Sequence, residues 1–356
     1  MGLRVALLYN LRCNAPVIEG APKDIWADLD SPSTLEALVK ALQEGGHEVI
    51  PLEGNADLWW KLPEVHPDIC FNTCEGHHGD SREAQVPAML EMLGIPYTGS
   101  KVMALAITLD KAMTKRVLIS DGLPTAPFRL FARADEPLDP RLRFPLFVKP
   151  NREGTAMGVT RDSLVHDEDA LRRQLARVIA DYCQPALVEE YIAGREVTVG
   201  ILGNEDARVL PLMEIDFSAC PPEEGGVYTS RVKTELYMMP RNICPAPLED
   251  AVAQEVSSLA LRAFRVTGCL DVARVDFRLD RQNRPYILEI NPLPGLCPGV
   301  GDLVVIAAAA GMSHADLINA ILDHAWHRYS QGSSTCQQAP RGQLERQPCV
   351  PAIEPG

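Results

Sequence analysis

Arg274-Val275-Asp276 and Glu289-Ile290-Asn291 flank Arg281-Gln282-Asn283-Arg284, which has the composition of a hairpin turn. If Asp280 pairs with Pro285, Asp276 falls opposite Glu289 and Arg274 opposite Asn291. Side chains alternate between the faces of a strand, so these four share one face and Val275, Phe277, Leu288 and Ile290 the other. Two carboxylates directly opposite repel each other. A divalent cation between them removes that cost. Two carboxylates and an amide oxygen are hard ligands, suited to Mg²⁺ holding nucleotide phosphates. A slip of one residue would separate the groups, and an ordinary exposed hairpin face would carry the same residue types.

Two further segments have chemical potential. Lys149-Pro150-Asn151-Arg152-Glu153-Gly154-Thr155-Ala156-Met157-Gly158 puts a lysine at a strand end, ahead of a glycine-bearing loop with a hydroxyl. Backbone N–H groups and a lysine can cradle phosphates in such a loop. The run does not match the G-x-x-x-x-G-K-[ST] phosphate loop, and many strand–turn segments carry Lys and Gly. Val188-Glu189-Glu190-Tyr191-Ile192-Ala193-Gly194-Arg195-Glu196 reads as two strands joined by a tight turn. Its backbone could meet an adenine and Glu196 the ribose hydroxyls; an ordinary hairpin gives the same pattern.

The elements that must position these groups fall into an ordered series. Residues 3–9 read as a strand buried on both faces. A helix over 34–44, capped by Ser33 and stopped by Gly45-Gly46, leads to strands at 47–52 and 68–72. A helix over 83–93 ends at Gly94, and 96–100 reads as a short strand and turn. This alternation predicts an open parallel sheet. A helix over 110–120, a strand at 144–150 and a helix over 167–180 follow. Strands are expected at 186–191, 196–202, 208–215, 271–280 and 285–291, and helices at 248–266, 303–310 and 314–327. Residues 216–240 form a polar, glycine-containing stretch. From 331 to 356 five glutamines and four prolines without apolar periodicity predict a disordered tail. Trp59-Trp60 is expected to pack against the first domain, and His77-His78 to supply loop polarity. His324 and His327 are expected to lie near the end of the last helix.

The 356 residues carry 34 basic and 48 acidic side chains, a net charge of −14. That balance disfavours a general nucleic-acid or anionic-membrane binder. The longest apolar run, residues 303–310, is far short of the ~18 residues of a membrane span. The N-terminus lacks the h-region and cleavage site of a signal peptide. Ten scattered cysteines without a second close pair predict free, mostly buried thiols and a cytoplasmic setting.

Taken in order, the segments resemble the ATP-grasp superfamily and, within it, the D-alanine–D-alanine ligases. Leu93-Gly94-Ile95-Pro96-Tyr97-Thr98-Gly99-Ser100 with Leu109-Asp110-Lys111 resembles the entry into the ATP-grasp region. Lys149 to Gly158 resembles the family's Lys-Pro-Ser-Arg-Glu-Gly-Ser-Ser-x-Gly loop. Glu189 to Glu196 resembles its adenine hinge, and Arg274-x-Asp276 with Glu289-x-Asn291-x-x-Pro294-Gly295 its phosphate-and-metal hairpin. The resemblance implies an α/β chain with α+β elements. Its divisions would be an N-terminal open parallel domain (1–105), a central nucleotide lid (106–188), a C-terminal subdomain with the metal site (189–330) and the tail (331–356). It implies ATP with Mg²⁺ or Mn²⁺ and an ADP-forming ligation through an acyl phosphate. Lys111 and Lys149 would bind phosphates; Glu189, Glu190, Tyr191 and Ile192 would line the adenine site, and Glu196 would hold the ribose. Asp276, Glu289 and Asn291 would ligate the metal. Arg274, Thr155 and Lys233 would be catalytic, with Lys233, Tyr228 and Arg231 on a loop closing over the site. The partners would be a small carboxylate and a small amine, and the assembly a homodimer.

Three segments depart from the family pattern. The family's glutamate just after the first strand is absent from Asn10-Leu11-Arg12-Cys13-Asn14-Ala15-Pro16. Leu296-Cys297-Pro298-Gly299-Val300-Gly301 lacks the usual hydroxyls. Residues 74–83 differ from His-Gly-x-x-Gly-Glu-Asp-Gly, and Glu75, Arg82 and Glu83 are expected to face the cleft. A non-alanine or natural-product substrate pair therefore stands beside D-alanine, with an inactive nucleotide-binding regulator as the remaining alternative.

Overall fold

The computed structural model describes residues 2–221, 226–236 and 238–331. The tail expected from 331 onward lies, past that residue, outside the described residues. The first third runs β1 (Arg4–Tyr9), α1 (Pro32–Glu44), β2 (Glu48–Glu53), α2 (Leu58–Val65), β3 (Ile69–Asn72), α3 (Gln85–Leu93), α4 (Val102–Leu109) and α5 (Lys111–Ser120). Then come β4 (Phe128–Phe131), β5 (Leu146–Pro150), β6 (Leu164–Val165), α6 (Glu168–Tyr182) and β7 (Ala186–Glu190). Next are β8 (Gly194–Gly203), β9 (Arg208–Val209), β10 (Met213–Asp216), α7 (Ser230–Thr234) and β11 (Arg241–Ile243). The chain continues through α8 (Asp250–Val266), β12 (Asp271–Asp280), β13 (Pro285–Asn291), α9 (Asp302–Ala309) and α10 (His314–Gln331).

Three sheets result. The first is parallel, in the order β2-β1-β3. Val5 and Leu7 pack with α1 and α10, while Ala6 and Leu8 pack with α2 and α3. Burial on both faces explains why β1 is almost uninterruptedly apolar. The second sheet, β4-β7-β5-β6, is antiparallel and covered by α6. The third runs β11-β10-β8-β12-β13, with β9 beside β8. Its two faces lie against α8 and α5 on one side and α9 and α10 on the other.

Several local expectations are corrected. Ser31 rather than Ser33 caps α1, accepting from the Thr34 N–H at 3.1 Å, because Pro32 occupies the first turn, where its missing N–H costs nothing. The left-handed stop after that helix falls on Gly46 (φ 83°). Residues 96–100 contribute a single bridge, Tyr97 to Cys70, rather than a strand. The strand expected over 208–215 splits into β9 and β10 around Pro211, which cannot donate to a ladder. Trp60 is exposed, not packed. The exposed thiols of Cys13 and Cys183 depart from the buried pattern, although the described cysteines are free. α10 runs on past His327, which bonds Gln331 inside its last turn.

Two corrections bear on the site. β7 and β8 are not a hairpin: β7 belongs to the second sheet and β8 to the third, so residues 191–193 cross between sheets. In the β12–β13 hairpin, Asp276 does pair with Glu289 and Arg274 with Asn291. The register then shifts by one, so Leu279 rather than Asp280 pairs with Pro285. The extra residue is Leu288, which leaves the core face and turns into the cleft between the sheets, while Ile287 takes its place in the core.

Candidate active site

The cleft between the second and third sheets has apolar walls of Ala126, Phe147, Met157, Val159, Ile215, Val227 and Leu288. The rings of Phe147 and Tyr191 stack 6.3 Å apart at 25°. The crossing segment is held from beneath by Arg278, which sequence reasoning missed. Its guanidinium donates to the Ile192 carbonyl (3.1 Å), the Gly194 carbonyl (3.2 Å), the Tyr191 hydroxyl (2.8 Å) and the Glu196 carboxylate (3.0 Å). Arg278 continues the alternation Arg274, Asp276, Arg278 on one strand face, and that period-two pattern was the available signal. Burial pushes the Glu196 carboxyl up despite the guanidinium beside it. Glu190 accepts from the Arg143 backbone N–H at 2.9 Å.

Glu189 lies at the cleft wall but is engaged as a counter-ion. Its carboxylate meets Lys149 at 2.6 Å and forms a second ion pair with Lys115. Lys115 is completely buried and also donates to Thr125 Oγ1 at 2.6 Å. Burial favours a neutral Glu189, but the two ammoniums outweigh it and hold the carboxyl below its ordinary range. Lys115, also missed, lies one helical turn after Lys111 on α5, and that spacing could have found it. Lys111 donates to the Glu153 carbonyl at 2.5 Å and approaches Glu289 at 3.3 Å.

The hairpin brings the remaining charges together. Arg274 forks onto Asp276 with bonds of 2.9 and 2.8 Å and has Asp302 at 3.9 Å. Asp276 also accepts from Thr198 (2.5 Å) and from Asn291 Nδ2 (3.0 Å). With Nδ2 so used, the Asn291 amide oxygen remains for another partner. Burial would raise Glu289, but Lys111, Lys149, Arg274 and Lys233 drive its pKa far below the carboxylate range. Two opposed carboxylates and an amide oxygen at the cleft floor fit a hard divalent cation.

The cleft opens at Lys111, Lys233, Arg274, Glu289 and Asp302 into a second compartment. Thr155 borders it, in a loop whose Thr155 and Ala156 hold left-handed φ of 47° and 56°. Lys233 lies 4.7 Å over the Tyr228 ring, on α7, which Thr229 caps. Of the residues at 74–83, Glu75 and Glu83 face this compartment. Arg82 instead bridges Asp28 (3.1 Å) and Glu153 (3.0 Å) behind it.

A family model described as D-ala D-ala ligase C-terminus matches residues 117–323. The uncharacterized protein y4sG of Sinorhizobium fredii is 39% identical, over 83% of this chain and 88% of its own. The D-alanine–D-alanine ligase of Pelotomaculum thermopropionicum is 34% identical over 82% of this chain and 91% of its own. That of Bordetella petrii is 40% identical over 72% and 76%. In fold, the chain resembles the Bacillus anthracis D-alanine–D-alanine ligase crystallised with ATP. The TM-score is 0.71 at 24% identity, covering 93% of this chain and 99% of that one.

Proposed function

The chain belongs to the D-alanine–D-alanine ligase family, and from that premise we propose that it activates one amino acid's carboxylate as an acyl phosphate and joins it to the amine of a second. It is an ATP-dependent carboxylate–amine ligase on an ATP-grasp fold. The observation that carries the detailed reading is the charge around Glu289: four cations, Lys111, Lys149, Lys233 and Arg274, converge on one carboxylate where the two compartments meet. Such a gathering of cations at one point suits a polyphosphate end carried with a divalent cation.

In this reading the adenine lies among Phe147, Tyr191, Ile192 and Leu288, with Glu196 toward the ribose. Glu189 neutralises Lys115 and orients Lys149, which with Lys111 holds phosphate oxygens. Asp276, Glu289 and Asn291 would hold Mg²⁺, which supplies charge neutralisation along the phosphates. The donor carboxylate attacks the γ-phosphorus and ADP leaves. Arg274, fixed by Asp276, and Lys233 stabilise charge on the transferring group. The acceptor amine then attacks the acyl carbon, expelling phosphate. Thr155 borders the donor, and Lys233 with Tyr228 covers the site, because an acyl phosphate must be kept from water.

The test is phosphate release from ATP and Mg²⁺ over pairs of D- and L-amino acids, with products identified by mass and Arg274→Ala as control. Amino-acid-dependent release that the control lacks is the expected result. Release that is independent of amino acids, or unchanged in the control, would overturn the assignment.

A further inference from the structure

Residues 11–30, between β1 and α1, close on themselves. The neck is a parallel bridge from Leu11 to Asp30, with the Arg12 N–H on the Asp30 carbonyl and the Asp30 N–H on the Asn10 carbonyl, both at 3.0 Å. Inside the loop, Arg12 donates to the Ala27 carbonyl at 2.7 Å and the Trp26 indole N–H to the Pro16 carbonyl at 3.0 Å. The Trp26 ring also meets His77 edge-on, 5.4 Å away at 83°. A long connection with its ends joined and its interior bonded has the character of an Ω-loop, and such connections are usually functional.

This loop presents Asp24 to the glycine loop. One carboxylate oxygen accepts from the Gly158 N–H at 3.1 Å, the other from the Tyr182 hydroxyl at 2.6 Å. Gly158 holds a left-handed φ of 74° and is hemmed in: a Cβ there would lie 2.6 Å from Pro150 and 2.8 Å from the Tyr182 ring. The near end of the glycine loop is held by α5, whose Lys111 and Ala112 N–H groups donate to the Asn151 carbonyl (3.1 Å) and side-chain oxygen (3.0 Å). The far end is held by Asp24.

Gly158 in turn places a wall of the cleft. Its neighbours Met157 and Val159 both line the cleft and are buried. The Val159 carbonyl accepts from the Ser230 N–H at 2.8 Å, at the start of α7, the helix that carries Lys233. Asp24 itself lines neither compartment.

Resting on the nucleotide assignment above, we propose that Asp24 is a positioning residue for ATP. By tethering Gly158 it holds Met157 and Val159 against the nucleotide and keeps the Val159 carbonyl beneath α7. The bond to Gly158 carries this effect; the bond to Tyr182 docks the Ω-loop on α6.

The test is calorimetric binding of a non-hydrolysable ATP analogue with Mg²⁺ to the full-length protein. Asp24→Ala is expected to weaken binding about tenfold with the native circular dichroism retained. Tyr182→Phe, which leaves the Gly158 bond in place, is expected to weaken it far less. Linkage is reciprocal, so in the native protein the analogue should slow amide hydrogen exchange over residues 16–26, none of which lines the cleft. Unchanged binding by Asp24→Ala, equal weakening by Tyr182→Phe, or unchanged exchange over 16–26 would each overturn the role of Asp24. No binding of the analogue by the native protein would instead refute the nucleotide assignment on which that role rests.

Discussion

Glu189 shared by two lysines makes a prediction about unequal consequences. Lys115 is fully buried, and Lys149 and Glu189 are nearly so. Replacing Lys115 with methionine removes one charged contact but leaves Glu189 and Lys149 as a balanced pair at 2.6 Å. A hydrogen bond to a charged group contributes about 1.5–3 kcal/mol, so Lys115→Met should cost roughly that. Glu189→Gln is different in kind. It strands two ammoniums against each other, and leaving a buried charge uncompensated costs about 3–5 kcal/mol. At about 2–4 °C per kcal/mol for domains of this size, thermal denaturation should separate the variants clearly. The double variant Lys115→Met/Glu189→Gln leaves only Lys149, and should be more stable than Glu189→Gln alone. Equal losses for the two single variants, or a double variant no better than Glu189→Gln, would refute the shared-counter-ion account.

Other outcomes follow from the same geometry. Arg274→Ala should slow ADP formation about 10²–10³-fold while nucleotide binding, followed by calorimetry, persists. Asp276→Asn or Glu289→Gln should abolish turnover with the circular dichroism of the native fold retained; near-normal turnover in either would remove the metal assignment. Arg278→Ala removes support from the Ile192 and Gly194 carbonyls and should raise KM for ATP more than it lowers kcat. For Glu83, which faces Arg82, Asp28, Lys111, Glu153 and Glu75, burial raises the pKa to about 7. A carboxyl raised on folding costs stability as pH climbs from its unfolded value to its folded one, so Glu83→Gln should stabilise the protein at pH 8 and not at pH 5. Equal effects at both pH values in chemical denaturation would contradict that.

The β12–β13 pairing was legible because strand alternation puts Arg274, Asp276, Glu289 and Asn291 on one face without tertiary information. The register held at those residues and failed toward the turn, since Leu288 bulges to meet the cleft, a demand made by the other sheet. The 191–193 connection misled for a related reason: three residues suffice for a hairpin and equally for a crossing between sheets. α4 escaped notice because it is apolar nearly all round, consistent with burial of Ala104, Leu105 and Leu109, and so lacks an amphipathic period. α2 was hidden by Pro63 within it. Asp28 offered no signal, because it lies in a segment without periodicity that only the fold brings to Arg82.

That last contact ties the N-terminal third to the glycine loop. Arg82 joins Asp28, at the edge of the second compartment, to Glu153 in the glycine loop, and donates to the Arg152 carbonyl at 2.8 Å. Glu153 in turn offers its carbonyl to Lys111 and its carboxylate to Gln184 at 2.6 Å. Farther along the loop, Asp24 accepts from the Gly158 N–H (3.1 Å) and the Tyr182 hydroxyl (2.6 Å). The N-terminal third thus does not merely border the glycine loop; its side chains hold that loop at Glu153 and at Gly158.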